Sequence, residues 1–87
     1  MKALYKLHFR TDLDYGTGFL EGLFIADTEQ IDKVMNTFID FGEIYKDIEI
    51  QGKLEYNDII MITVDKNIIK IVKEYKLEIG YNLLDYI

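Results

Sequence analysis

The chain contains no cysteine, no proline and no serine, and it has a single histidine. Without cysteine there is no disulfide framework and no thiolate metal site, so stability has to come from apolar packing, helped by self-association. Without serine or cysteine the usual activated nucleophiles are missing, and the threonines fall in no recognisable motif. His8 alone makes neither a metal site nor a catalytic triad. The first ten residues alternate in polarity, and no apolar run reaches the length of a signal-peptide core or a membrane span. These absences point to a non-enzymatic cytoplasmic protein with no cofactor and no structural metal. The missing prolines also remove one marker of element boundaries.

What is present suits a single domain. Eighty-seven residues can bury one core but not two. A hydrophobic content of 49% is enough to offset the entropy of ordering, which excludes a disordered chain. The net charge of -6 is unevenly distributed. Residues 1–10 hold Lys2, Lys6 and Arg10 with no acid, residues 11–57 hold eleven acids against three bases, and the remainder is nearly balanced. An acidic field repels nucleic-acid phosphates and steers the molecule toward basic protein surfaces. The expected partner is therefore a protein with a basic surface, with no direct nucleic-acid contact and no membrane.

Ala3, Tyr5, Leu7 and Phe9 alternate with Leu4, Lys6 and His8, the period of a half-buried strand. Turn-forming residues 12–18 (DLDYGTG) and an apolar run at 19–26 complete a β-hairpin. Asp27 then reads as a helix N-cap with Gln30 at the third helical position. Ile31, Val34, Met35, Phe38 and Ile39 follow at helical spacing, which predicts a helix over 28–40 ended by Gly42. Alternation over residues 42–55 predicts one long strand, bent or broken near Lys46 or Gly52. Residues 56–58 read as a turn and 59–64 as a strand. Asp65 reads as the cap of a helix over 66–76, with an apolar stripe of Ile68, Ile71, Val72 and Tyr75. Strand, Asp cap and helix thus recur thirty-eight residues apart, with Asp27 matching Asp65 and Ile31 matching Ile69. The expected fold is α+β, a two-layer sandwich of a mainly antiparallel four-stranded sheet with two helices on one face, in ββαββα order. Its core is expected to hold Tyr5, Leu7, Phe9, Ile31, Val34, Phe38, Ile48, Ile50, Ile62, Ile68 and Val72.

The candidate sites are few. Glu43, Asp47 and Glu49 project from one strand face, where nothing obvious separates their pKa values as acid-base catalysis requires. Asp12 and Asp14 lack the later ligands of a calcium loop. Gly16 and Gly18 precede a strand rather than a helix, so the phosphate-loop mechanism is absent. Both faces of 19–26 and 59–64 are apolar, which leaves a patch for a partner, most simply a second copy in a two-fold dimer.

The stretches FGEIY at 41–45, QGKLE at 51–55 and GYNLLDYI at 80–87 resemble small bacteriophage and prophage proteins. The resemblance implies a phage context and the style of an anti-defence inhibitor. Two binding roles follow. In the first, Glu43, Tyr45, Asp47, Glu49, Glu55, Tyr56 and Tyr81 engage a host protein, with carboxylates steering and tyrosines anchoring. In the second, Lys6, His8 and Arg10 neutralise the phosphates of a sequestered nucleotide signal.

Overall fold

The computed structural model describes residues 1–13, 16–45 and 48–87, without the side chains of residues 12, 13, 16, 17, 44, 45 and 48. Its centre is the hairpin of β1 (Lys2–Leu13) and β2 (Gly16–Asp27), paired from Lys2 opposite Asp27 to Leu13 opposite Gly16. Twelve strand residues at about 3.4 Å each span roughly 40 Å, which accounts for the 42 Å long axis of the molecule. Strand β5 (Ile59–Thr63) flanks β1, and the two-residue β6 (Ile79–Gly80) flanks β2, giving the order β5-β1-β2-β6. Gly22 faces Gly80 in that last pairing. A Cβ on Gly22 would overlap the Tyr81 carbonyl, and Gly80 holds a left-handed φ of 72°, so both positions need glycine.

The class is α+β with a four-stranded antiparallel sheet, as the sequence indicates, but its fourth strand is β6, and the segment expected as a strand over 42–55 belongs to a separate two-stranded sheet. Strand parity holds in the hairpin. Ala3, Tyr5, Leu7 and Phe9 join Leu20, Phe24 and Ala26 in the main core. That face is covered by helix α1 (Thr28–Val34) through Ile31, by a second hairpin through Ile39, Phe41, Ile50 and Leu54, and by Leu83 from a 3-10 turn at Leu83–Tyr86. The other face is covered only at one end, where Ile69 and Val72 of helix α2 (Lys66–Glu74) pack on Leu4 and Ile25. The two helices therefore lie on opposite sides of the sheet rather than together on one.

Further expectations are corrected. Helix α1 stops at Val34, because Asn36 takes a left-handed φ of 63° and donates its N–H to the Leu54 carbonyl at 2.8 Å, while Thr37 O accepts from Leu54 N. Phe38 and Ile39 consequently open strand β3 (Phe38–Tyr45), with Phe38 65% exposed and Ile39 buried. Gly42 terminates no helix; it sits at an irregularity of β3 with φ 73°. The long strand is two strands, β3 and β4 (Ile48–Lys53), paired antiparallel with Tyr45 opposite Ile48. Of the stripe expected on α2, Val72 is buried as predicted, but Ile69 is buried beside it, while Ile68, Ile71 and Tyr75 are exposed. Ile62 is also exposed, at an irregularity in the β1–β5 register. The expected core residue Ile48 has its side chain outside the described residues.

Both helix caps form where the Asp residues predict them. The Asp27 N–H donates to Gln30 Oε1 at 3.2 Å. Asp65 Oδ1 accepts from Asn67 N at 2.8 Å and from Ile68 N at 3.3 Å, satisfying two of the donors a helix start leaves open. No helix among the described residues is long and apolar enough to cross a membrane.

Candidate interaction surface

The β3–β4 hairpin presents its exposed side to solvent as a carboxylate field. Glu43 and Glu49 are direct cross-strand partners, both exposed, and Asp40 and Glu55 are exposed near them. Directly opposed residues of a strand pair bring their Cβ atoms to about 5 Å, so like charges there repel. Next to them the chain turns through a 3-10 segment at Tyr56–Asp58. There the Glu55 N–H donates to Asp58 Oδ2 at 2.7 Å, and Tyr56 is 79% exposed.

A groove of about 980 Å³ runs between this region and the sheet. Strand β5 pairs with β1 only from Leu4 to Leu7, so the edge of β1 beyond Leu7 faces β4 and the 3-10 turn across open space. Phe9 is buried beneath the groove, with Gly52 so close that an added Cβ would lie 3.1 Å from the ring. Glu49, Gln51, Glu55 and Asp58 line one side, His8, Arg10 and Phe19 the other.

Lys6, His8 and Arg10 share one face of β1, as parity predicts, but not one concavity. Lys6 borders a separate hollow with Leu23 and Ile79. The His8 ring stacks on Phe19 at 4.3 Å between centroids, and its Nδ1 lies 3.1 Å from Glu21 Oε1. That approach suits an ion pair when the ring is protonated, yet it lacks hydrogen-bond geometry. An anion entering beside His8 and Arg10 would meet the carboxylates of Glu49, Glu55 and Asp58.

The tyrosines divide. Tyr56 is free to contact a partner, whereas Tyr81 is half-buried against the main core and its N–H donates to Glu21 O at 3.0 Å. The Tyr45 side chain and Asp47 lie outside the described residues, as do Asp14 and Tyr15. Two other tyrosines are perturbed. Burial, followed by the nearby Asp32 carboxylate, pushes the Tyr5 phenol up. Burial, then Tyr81 and Asp85, does the same to Tyr86, whose ring meets Phe41 at 5.0 Å. Among the described residues no three His, Asp or Glu side chains cluster as metal ligands would.

Sequence reasoning missed one group altogether. Lys2 and the α2 lysines Lys66, Lys70 and Lys73 surround a second groove on the other side of the sheet. The i, i+4, i+7 spacing of the helical three was the available signal. Compared with family models, curated proteins and solved structures, the chain matches none.

Proposed function

We propose that this is a non-enzymatic binding protein whose acidic β3–β4 surface occupies a basic surface of a partner protein, in the manner of a phage-encoded inhibitor of a bacterial defence protein acting in the host cytoplasm. The observation that carries the reading is the direct opposition of Glu43 and Glu49. A like-charged cross-strand pair costs stability in the free protein, and a lysine or arginine of a partner removes that cost on binding. Glu55 and Glu49 at the groove mouth extend the field, and exposed Tyr56 supplies an amphipathic anchor beside it. Electrostatic complementarity of this kind sets on-rate and partner choice more than raw affinity.

The open sheet face supports self-association as well. Ile60, Lys6, Leu23 and Ile79 form one row across the four strands, with Ile60 and Ile79 exposed. A two-fold dimer would bury this row twice. Light scattering at micromolar concentration, with Ile79→Lys as the disrupting variant, reads that contact.

The functional test is affinity capture from bacterial lysate with the wild-type protein and a Glu43→Lys/Glu49→Lys variant. Captured protein should elute with rising salt and be lost on charge reversal. The reading fails if reversal leaves capture intact, or if a Lys6→Ala/Arg10→Ala variant abolishes binding of a cyclic nucleotide that the wild type retains.

A further inference from the structure

We propose that the groove between α2 and the start of β1 is a binding site for a small anionic amphiphile, a carboxylate or phosphate head on an aliphatic body. The groove encloses about 610 Å³, within the roughly 300–1,000 Å³ typical of small-molecule sites. Its apolar floor includes Val64 and Ile69, and its rim carries Lys2, Lys66, Lys70 and Lys73. Among the described lining residues the carboxylate is Glu74, 3.9 Å from Lys70 Nζ, while the α-ammonium of Met1, also at the groove, lies 3.7 Å from Asp27 Oδ1 and 3.8 Å from Glu29 Oε1. In a chain of net charge -6, four lysines thus converge on one concavity.

The arrangement is unfavourable without a ligand. Lys66, Lys70 and Lys73 stand at i, i+4 and i+7, where like charges on neighbouring turns repel. Lys66 begins α2 beside the N-cap Asp65, whose carboxylate accepts from the Asn67 and Ile68 N–H groups and answers the positive end of the helix, so the unrelieved charge lies along the lysine series. An anion held among the ammonium groups relieves that repulsion. Lysine suits the rim chemically, because its aliphatic stem can lie along an apolar wall while the ammonium stays at the mouth. Among the described residues no aromatic ring lines the groove, so the lining offers nothing to stack on a nucleobase, and its aliphatic floor selects an alkyl chain instead. This site lies across the sheet from the acidic hairpin and does not depend on the role proposed for that hairpin.

The test is calorimetry and backbone NMR with octyl phosphate and octanoate below their micellar concentrations. Inorganic phosphate supplies the head alone, and octyltrimethylammonium the same tail with opposite charge. Both anionic amphiphiles should bind saturably at one site, shift Val64, Ile69 and Lys70, and outcompete either control. Lys70→Gln/Lys73→Gln should weaken binding by about tenfold with the fold retained, because both side chains are exposed. Val64→Gln should weaken it through the floor and serves as the second variant. Equal binding of octyltrimethylammonium, shifts centred on Ile60 and Ile79 of the open sheet, or no binding would each overturn the proposal.

Discussion

The β3–β4 hairpin and helix α2 sit on opposite faces of one sheet and carry opposite charge. Among the described residues from 38 to 58, Asp40, Glu43, Glu49, Glu55 and Asp58 face Lys53 alone; from 66 to 76, Lys66, Lys70, Lys73 and Lys76 face Glu74 alone. Both segments are anchored by buried apolar side chains: Ile39, Phe41 and Ile50 on one side, Ile69 and Val72 on the other. The net charge of the chain conceals this separation. Each anchor is what allows a self-repelling surface to persist, because a few apolar contacts outweigh several exposed like-charge pairs.

The anchors give the largest test of that comparison. Ile50 belongs to the large cluster and is 1% exposed, while Ile69 belongs to the small one at 7%. Ile50→Ala should lower stability by about 3–5 kcal/mol, and Ile69→Ala by about 2–3, since a rim site collapses more easily around the lost volume. Urea denaturation of both variants reads the difference, and equal losses would mean that α2 is as deeply anchored as the hairpin. Next in size is the α2 cap. Asp65→Ala removes an acceptor for two helix N–H groups and should cost about 1 kcal/mol. Amide exchange should show the loss concentrated in α2, with β3–β4 unaffected.

Alkali should act on the covered face. The Tyr5 and Tyr86 phenols are held neutral by burial, so their folded pKa values lie above the ordinary tyrosine value near 10. Below that value the contribution to stability is intact. As pH rises past about 10 the unfolded chain ionises first, and stability declines until the folded pKa values are passed. Thermal melts from pH 8 upward should therefore hold level and then fall from about pH 10, and Tyr5→Phe should blunt the fall.

The sequence made the regular parts of this fold legible and hid the long-range ones. The period-two pattern of residues 3–9 located β1 and its buried face, and the Asp27 and Asp65 caps located both helix starts. Phe38 and Ile39 fit a helical stripe, but Ile39 and Phe41 equally fit a strand; the choice rests on the bonds of Asn36 and Thr37 with Leu54, seventeen or more residues away. The separation of β3 from β4 escaped notice because the sequence from Glu43 to Gln51 contains neither glycine nor proline. On the surface, parity correctly put Glu43 and Glu49 on a common side without revealing that they oppose each other across a hairpin. The lysine spacing on α2 was legible, but the groove itself was not, because Lys2 and Lys66 are brought together only by the packing of α2 on Leu4 and Ile25.

The smallest expected changes bear most closely on function. Lys66→Glu should stabilise the free protein by a few tenths of a kcal/mol, by turning the Lys66–Lys70 repulsion into an i, i+4 attraction while leaving the Lys70–Glu74 pair in place, visible as a slightly higher melting temperature at low salt. Glu49→Lys addresses the acidic pair itself, and its denaturant midpoint at low and high salt tests most directly whether Glu43 and Glu49 are kept for a partner rather than for the fold. The account predicts a variant more stable than wild type by a few tenths of a kcal/mol at low salt, with the gap closing as salt is added. A variant less stable than wild type at low salt would contradict it, showing that these carboxylates hold the hairpin together.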